Sequence, residues 1–477
     1  MSRNLQGAYR QYDLSICYRI PIKFTLFLIA AEGQIKTMYD PSYNKKTLVE
    51  LLHLGDLRSI SSSKEDAFRK AAVLDAIKSA ISIFGDSNPI SKFHLRKKSA
   101  FRIKKIEHDL VVRKLTRNLE RNRNNKSNGR DLIVTNLIHF IEEGVPFRIY
   151  RLDIKSFYES FSEEDIKIKI SSLRKLPSLS KQHLIALLDH YKTYPNAHGI
   201  PRGMAISAVL SDIMMSEFDT YMKSNSFVYF YGRYVDDIIA ITNLSEDESS
   251  FLKNIRLQLP KGLLLNEKKG VVCSVPEKQS SIKEPPNNLC SACGSTITPI
   301  STIELKPEFK CKFDYLGYQF SIFNPLAKDK SVIQGFRSVR IEIAENKVKK
   351  IKLRIVRALV DFIKTGNKYL LVARVKYLTS NFSISDKKTG KRIHAGIYYS
   401  YPHLSPDSES LAELDKFLKN AVLSNRGRLF SKIAPLLDKK LKRKLSANSF
   451  QVGHKTRCFV YFTPQVIRDI QECWINE

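Results

Sequence analysis

The 477-residue chain is 43% apolar, so it is long enough for several domains and a substantial core, and its formal net charge is +31. Solubility does not require such an excess of positive charge, so a polyanionic partner is expected, with nucleic acid ahead of a membrane surface. The longest apolar run near the start, Phe24 to Ala31, is too short to span a bilayer and lacks the layout of a signal peptide. Seven cysteines do not resemble a secreted disulfide framework, and we expect a cytoplasmic protein without a membrane partner.

The first third of the chain divides by composition. Residues 1–90 predict a mainly helical N-terminal extension, including a helix over Glu65–Phe84. A dense basic tract lies between Arg96 and Arg130. Its one-sided charge favours a surface that contacts phosphates over a merely solvated helix face.

Strand and helix patterns alternate in the middle of the chain. Residues 146–157 predict a strand, and Ser162 with Asp165 predicts a capping box at the start of a helix over 163–173. The turn-rich GIPRG segment leads into a predicted helix over 204–222. FVYFYGRYVDDIIAIT then predicts two strands that are hinged at two adjacent aspartates.

The last part of the chain is basic and predicted to be helical. Residues 274–310 are rich in Ser, Pro and Lys and predict an insertion, after which FKCKFDYLGYQFSI returns to strand. Residues 321–477 hold 31 Lys and Arg against 13 Asp and Glu. Helices are predicted over 345–359 and 436–445.

The adjacent Asp236 and Asp237 need an explanation, because two carboxylates in an apolar hairpin repel each other and lose hydration. A divalent cation is the usual compensation. Asp153 lies late in another predicted strand and, if the strands are neighbours, can hold two magnesium ions jointly with Asp236. Paired metals suit an in-line phosphoryl displacement. A Tyr-x-Asp-Asp string alone is often a chance turn, so the specificity lies in the ordered set of acid, Gly-Pro loop, Asp-Asp hairpin and lysine.

This ordered set resembles the successive palm motifs of reverse transcriptases. The motifs are RLDIKSFYESF, GIPRGMAIS, YVDD, LNEKKG and FDYLGYQF, which cover about 180 residues. The chain is most similar to the prokaryotic abortive-infection and defence-associated group, because it has PRG and Ala208 where most retroviral, retron and intron-encoded enzymes have PQG and a Ser-Pro. RVKYLTSNF and AGIYYSYPHL also resemble that group.

The resemblance implies an α+β right-hand polymerase fold. Fingers would span 91–145, the palm 146–325 with the cysteine-containing insertion, and a basic α-helical thumb 326–477. The implied function is magnesium-dependent, RNA-directed DNA synthesis from dNTPs in prokaryotic anti-phage defence. Its partners would be a non-coding RNA template, the DNA product, and a partner protein or second copy of the chain.

The resemblance also implies roles for individual residues. Asp153, Asp236 and Asp237 would be the catalytic acids, holding two Mg²⁺ (or Mn²⁺) ions with help from the carbonyl of Ile154. Lys269, in the Asn-x-x-Lys pattern, would protonate the leaving pyrophosphate. The expected nucleotide and primer contacts are Tyr158 as a gate against the 2′-OH, Arg202, Gly203, Ser207 and Tyr234. Triphosphate contacts are expected from Arg96, Lys98, Arg102 and Lys104, and backbone contacts from Lys349, Lys352 and Arg354.

Two alternatives stay open. Arg202 replaces the usual glutamine, which favours template-independent deoxynucleotide polymerisation as a second possibility. Protein priming belongs to it, with candidate tyrosines Tyr398, Tyr399, Tyr401 and Tyr461. A non-catalytic RNA-binding protein with a polymerase fold is the third, and the intact acids argue against it.

The cysteines suggest a metal site in the insertion. Cys290 and Cys293 form a CxxCG knuckle, and Cys273 and Cys311 flank it on the strands that enter and leave the insertion. If those strands pair, four thiolates can hold one structural zinc ion. Two buried thiols and a chance CxxC are the equally weighted alternative.

Overall fold

Helices and antiparallel strands make up an α+β architecture. The computed structural model describes residues 39–57, 60–95, 98–123, 129–276, 308–324, 337–386, 390–424, 426 and 430–474. The chain divides into two units, 1–42, of which residues 39–42 are described, and 43–477, to which all elements below belong. No helix in the described ranges is long and apolar enough to cross a bilayer.

The region before the central sheet combines helices with one hairpin. Its elements are α1 (Lys45–Val49), α2 (Glu65–Ile81), β1 (Ile90–Leu95), β2 (Lys98–Ile103), α3 (Ile106–Glu120) and α4 (Arg130–Glu142). β1 and β2 pair antiparallel. The helix predicted from Glu65 is confirmed, but it ends before Ile83 and Phe84, where the backbone takes positive φ.

A four-stranded antiparallel sheet forms the centre of the unit. Its strands are β3 (Phe147–Asp153), β4 (Val228–Tyr234), β5 (Asp237–Thr242) and β6 (Val271–Val275), in the order β4-β5-β3-β6. The predicted hairpin around the two aspartates is confirmed. β3 thus lies between β5 and β6, so the strand that carries Asp153 is a neighbour of the hairpin.

Five helices connect these strands: α5 (Glu163–Ser172), α6 (Ser178–Lys192), α7 (Ala205–Met214), α8 (Ser216–Ser224) and α9 (Glu248–Gln258). The predicted cap of α5 is confirmed, because the Ser162 side chain accepts a hydrogen bond from the Asp165 N–H. The prediction of a single helix over 204–222 is wrong in one detail. The chain breaks at Met215 into α7 and α8.

A second antiparallel sheet and a helical region follow. The sheet has the order β7 (Glu308–Tyr315), β8 (Tyr318–Asn324), β9 (Ser338–Ile343). Beyond it lie α10 (Glu345–Thr365), α11 (Lys368–Thr379), β10 (Asn381–Ser385), β11 (Arg392–Gly396), α12 (Ile397–Ser400), α13 (Glu409–Leu423), α14 (Phe430–Ile433), α15 (Lys439–Ser446), α16 (Phe450–Lys455) and α17 (Pro464–Glu472). The two predicted helices are confirmed with shifted bounds, and α15 begins after Asp438, which caps it. The expected purely helical C-terminal region also contains β9 and the β10–β11 hairpin.

Both faces of the central sheet are buried. Phe147 and Ile149 on β3 belong to a core shared with the second sheet and the C-terminal helices. Tyr150 and Leu152 on the opposite face belong to a core shared with α2, α3, α6 and α7. Because side chains alternate along a strand, β3 contributes to both cores at once. Asp153 ends the strand, directly after Leu152, the last of these core residues along β3.

Candidate catalytic site

The three predicted catalytic acids lie together at one end of the central sheet. Asp153, the last residue of β3, is paired in register with Asp237, the first residue of β5. Asp236 lies in the turn between β4 and β5, and its carbonyl accepts a hydrogen bond from the Ile154 N–H at 3.1 Å. Like charges on directly opposed strand residues are unfavourable, so the arrangement calls for a compensating cation.

Protein cations supply part of that compensation. The Lys269 ammonium lies 3.0 Å and 3.2 Å from the two carboxylate oxygens of Asp153, and the Asn266 amide donates to the same carboxylate at 3.0 Å. Arg151 contacts Asp237 Oδ1 at 3.1 Å. Over the described ranges, no three His, Cys, Asp or Glu side chains are grouped closely enough to hold a metal ion. Asp153 and Asp237 are engaged by nitrogen donors instead.

Burial makes the charge on the turn unfavourable. Burial is the main cause that raises the pKa of Asp236, and the neighbouring Asp153 charge adds to it. Burial likewise raises the pKa of Asp237, with Arg151 opposing and Asp236 reinforcing the shift. A hard divalent cation would relieve both causes, since it is bound by carboxylate and carbonyl oxygens of the kind gathered here. The oxygen donors are of the type that magnesium prefers, but to hold the ion the acids would have to come closer together and Asp153 would have to release Lys269.

Lys269, and not its neighbour Lys268, lies beside Asp153. The Asn266–Lys269 turn is closed by a bond from the Lys269 N–H to the Asn266 carbonyl at 3.0 Å. The Asn266 N–H in turn donates to the Asp153 carbonyl at 2.7 Å. This turn holds the Lys269 ammonium beside Asp153, and Lys268 has no such contact with the acids in the described part of the chain.

A buried arginine supports the Asp-Asp turn. Arg233 is 6% exposed and donates to the Val235 carbonyl at 3.1 Å. Its guanidinium also binds both carboxylate oxygens of Asp219, at 2.8 Å and 2.7 Å, and Asp212 at 3.2 Å. Val235 has φ of +60°, which is strained for a β-branched residue. Arg233 therefore ties the strained residue before Asp236 to two partly buried carboxylates.

Tyr158 lies in the wall of the same cavity. Its carbonyl accepts from the Ile200 N–H at 2.8 Å, which joins the segment after β3 to the GIPRG loop. Burial raises the pKa of the Tyr158 hydroxyl, and the Asp236 charge raises it further. The segment that carries Tyr158 is thus fixed by the fold, and the Asp236 carboxylate is close enough for its charge to raise the pKa of the Tyr158 hydroxyl.

The GIPRG loop is fixed by three separate contacts. The Arg202 guanidinium makes a two-pronged ion pair with Glu159, both bonds at 3.0 Å, and lies 5.8 Å from the centre of the Tyr158 ring. The buried Ser207 hydroxyl donates to the Pro201 carbonyl at 2.5 Å. Gly203 has φ of +103° and packs so tightly on β2 that a Cβ atom would lie 2.9 Å from the Phe101 carbonyl oxygen. Ser207 and Gly203 therefore shape the loop, and Arg202 already has a carboxylate partner.

A cavity of about 800 Å³ lies in front of the acids. From the predicted set it is lined by Tyr158, Arg202, Tyr234, Asp236 and Asp237. The second sheet and the C-terminal helices form its other wall. Among their lining residues are Asp314, Lys347, Tyr399 and Tyr401. Arg130, the first residue of α4, connects the turn between β7 and β8 with the end of α12, because it donates to the carbonyls of Leu316 and Ser400 at 2.9 Å each.

The predicted basic contacts are scattered. Arg96 lies outside the described residues, and Lys98 is the first residue of β2. Lys104 is exposed, and Arg102 lines a separate cavity of about 450 Å³ whose lining includes Gly203. On α10, Lys349 pairs with Glu345 at 2.6 Å and Lys352 with Glu413 at 2.5 Å. Arg354 lies over the Trp474 ring at 5.3 Å. The five of these residues whose side chains the structure describes do not line the cavity in front of the acids; they are Arg102, Lys104, Lys349, Lys352 and Arg354.

The structure describes only two of the four cysteines of the predicted zinc site. Cys273 on β6 and Cys311 on β7 are joined as a disulfide, with Cα atoms 6.3 Å apart. The strand pairing on which the predicted zinc site is conditional is not present, because β6 and β7 belong to different sheets. Cys290 and Cys293 lie outside the described residues. The zinc site stays a prediction, and it would need the Cys273–Cys311 pair in its reduced form.

Several residues of this site are not evident from the sequence motifs. Arg151 and Arg233 stand close to the predicted acids, and a charged residue in an apolar strand is the signal that could have found them. Lys347 and Tyr399 line the cavity although both lie far beyond the hairpin in sequence, so only tertiary packing brings them there. Residues at the start of α10 line the cavity, whereas the predicted contacts further along the helix do not line it in the described part of the chain.

Comparison with known proteins gives structural neighbours alone. No family model matches the chain. No curated protein matches it either. The chain is similar to apo telomerase from Candida tropicalis truncated from its C-terminal domain, with 17% identity over 37% of this chain and 44% of that one and a TM-score of 0.26. It is also similar to telomerase from Candida albicans in complex with a TWJ fragment of telomeric RNA, with 13% identity over 85% and 65% and a TM-score of 0.27. The chain thus spans less than two thirds of either telomerase chain.

Proposed function

We propose that this protein is an RNA-directed DNA polymerase that adds dNTPs by two-metal phosphoryl transfer. The observation that carries the proposal is the position of three acids, Asp153, Asp236 and Asp237, at adjacent strand ends and beside a cavity of about 800 Å³. The same acids belong to motifs whose order along the chain resembles reverse transcriptases. The net charge of +31 suits a nucleic-acid partner.

In this proposal, different groups of the chain bind the metals, donate a proton and select the nucleotide. Asp153, Asp236, Asp237 and the Ile154 carbonyl would hold two Mg²⁺ ions, with Mn²⁺ as a substitute. When bound, the metals would stabilise charge on the attacking and leaving oxygens of an in-line displacement. Lys269, released from Asp153, would give its proton to the leaving pyrophosphate. The Tyr158 ring would exclude a 2′-OH, and Tyr234 would support the primer terminus.

The domain assignment is part of the proposal. Fingers would span 91–145 with most of the β1–β2 hairpin, the palm 146–325 with the central sheet and the β7–β8 hairpin, and the thumb 326–477 with β9 and the helices after it. A role in prokaryotic anti-phage defence and a non-coding RNA partner rest only on the resemblance of PRG, Ala208, RVKYLTSNF and AGIYYSYPHL to the defence-associated group. The proposed cytoplasmic location rests on the cysteine pattern. An associated protein or a second copy of the chain belongs to the same proposal.

Incorporation of labelled dNTPs tests the function. The purified protein is given a primed RNA template and Mg²⁺, with and without RNase treatment. Products complementary to the template, lost after RNase, support RNA-directed synthesis. RNase-resistant incorporation from a single dNTP supports template-independent synthesis instead. RNA binding without any incorporation supports the non-catalytic alternative.

Protein priming is a second candidate because two of the four candidate tyrosines line the catalytic cavity. These are Tyr399 and Tyr401. Tyr399 is 38% exposed, whereas burial raises the pKa of Tyr401, which opposes formation of a nucleophilic phenolate. Tyr399 is therefore the better candidate.

A denaturing gel with and without protease distinguishes the two ways of priming. A covalent product stays with the protein until protease releases it. Tyr399→Phe should remove that product, and Tyr398→Phe and Tyr461→Phe serve as controls because neither residue lines the cavity in the described part of the chain. Free DNA after denaturation alone excludes priming by any side chain.

A further inference from the structure

An exposed group of aromatic rings borders the catalytic cavity. The rings of His394 and Tyr399 are stacked, with centroids 5.1 Å apart and planes 25° apart. Phe459 stands edge-on to both, with centroids at 5.2 Å and 6.2 Å. All three side chains are exposed, Phe459 to 47%. We call these three residues the aromatic cluster.

The cluster is placed by two backbone elements. His394 lies on the face of the β10–β11 hairpin opposite to Phe382 and Ala395, which pack into the core. Phe459 lies on an extended segment that bridges to Asn381, and the next residue, Val460, packs towards the core. Both rings therefore point away from the core because of strand alternation. Neither ring belongs to the described core, so core packing does not explain why aromatic residues occupy these two positions.

The surroundings of the cluster are positively charged. Residues 390–401 and 450–463 contain Lys391, Arg392, Lys455 and Arg457 and no Asp or Glu. Arg392 is exposed on the same hairpin face as His394, two residues away. Arg457 lies 4.2 Å from the centre of the Tyr398 ring, which itself contacts Tyr399. Stacking rings beside cations are the combination that binds single-stranded nucleic acid.

We propose that the aromatic cluster binds single-stranded DNA as it leaves the catalytic cavity. Tyr399 belongs both to the cluster and to the cavity wall, so the two surfaces are continuous. DNA is the occupant because it is the product of the proposed reaction, on which this inference rests. Bases would stack on the exposed faces of the rings while Arg392 and Arg457 contact phosphates.

Fluorescence anisotropy with a labelled oligothymidylate of roughly 12 nucleotides tests the inference. Phe459→Ala, Phe459→Leu and Tyr399→Ala should each weaken binding by roughly 5- to 100-fold, because each removes one ring. Tyr399→Phe should stay within about twofold of the wild type, since the ring and not the hydroxyl is used. Tyr369→Ala is the matched control, because Tyr369 is 70% exposed on α11 and does not belong to the cluster. Thermal unfolding verifies that each variant is folded.

The inference is overturned if Phe459→Ala and Tyr399→Ala bind the oligonucleotide as the wild type does. It is equally overturned if they lose duplex binding to the same extent, or if an RNA strand of the same length binds more tightly through the cluster than DNA. Its failure is separable from failure of the proposed polymerase. Asp236→Asn should retain wild-type affinity for the oligonucleotide while it loses incorporation.

Discussion

Arg233 donates a hydrogen bond to the carbonyl of Val235 at 3.1 Å, and this links a buried guanidinium to the strained residue that precedes Asp236. The same guanidinium is held by Asp219 and Asp212. The pKa of Arg233 is raised because hydrogen bonds and charge from Asp219 outweigh burial, so it stays a cation. The turn that carries the acids is thus fixed from behind, by residues outside the motif.

Arg233→Lys should therefore lower the rate of dNTP incorporation without abolishing it. Lysine keeps the charge but cannot span Asp219 and the Val235 carbonyl, so the turn loosens. A shift of about 1 Å at Asp236 is enough for a loss of roughly 100-fold in kcat, while KM for dNTP changes little. Broken contacts in this buried network should also lower the free energy of unfolding by about 3 kcal/mol.

Tyr231→Phe is the control for that effect. It removes the Tyr231 hydroxyl from Asp219, to which it donates at 2.6 Å, and leaves the bond from Arg233 to Val235 intact. Stability should fall while kcat stays near the wild-type value. Equal losses of kcat in the two variants would show that Arg233 acts only on stability.

The grouping of Asp153, Asp236 and Asp237 could be predicted from the sequence, because carboxylates are conspicuous in apolar strand segments. Two carboxylates in an apolar hairpin, or Asp153 late in a strand, are visible without a structure. The interactions that surround the acids cannot be recognised in the sequence in this way. The bond from Arg202 to Glu159 and the approach of Tyr399 to the cavity depend on packing between distant segments. The break at Met215 was likewise hidden, because the apolar spacing continues through it.

Tyr158→Ala should admit ribonucleotides. If the ring excludes the 2′-OH, its removal lowers discrimination between dNTP and rNTP by roughly 10- to 100-fold. Tyr158→Phe is the control, since it keeps the ring and should keep discrimination. Single-nucleotide incorporation with each substrate gives the two ratios of kcat/KM. Unchanged discrimination in Tyr158→Ala would assign the ring to packing alone.

Lys347→Glu should weaken binding of the template–primer more than Lys349→Glu does. Lys347 lines the cavity, whereas Lys349 lies two residues further along α10 and pairs with Glu345. If the Lys347 ammonium binds a phosphate, its replacement should also reduce the slope of log K against log salt by about 1. Titrations at several salt concentrations measure both effects. Identical affinity and slope for the two variants would contradict a contact between Lys347 at the start of α10 and the template–primer.

Asp236→Asn should also change the stability of the metal-free protein. The pKa of Asp236 is raised in the folded state, chiefly by burial, so the folded protein binds protons more strongly than the unfolded chain does. Its ionised form therefore opposes folding, and stability is lost as the pH rises through the raised pKa. A neutral amide removes this effect, and the thermal midpoint at neutral pH should rise. A lower midpoint would indicate that the carboxylate stabilises the turn.

Incorporation by Asp236→Asn tests the central claim most directly. The variant keeps the size of the side chain and removes one carboxylate from the proposed metal ligands. Asp314→Asn is the matched control, because Asp314 is an acid of the same cavity outside the predicted set. We expect Asp236→Asn to remain folded and to lose roughly a thousandfold or more of dNTP incorporation, while Asp314→Asn stays active. Incorporation by folded Asp236→Asn at the level of Asp314→Asn would contradict the central claim.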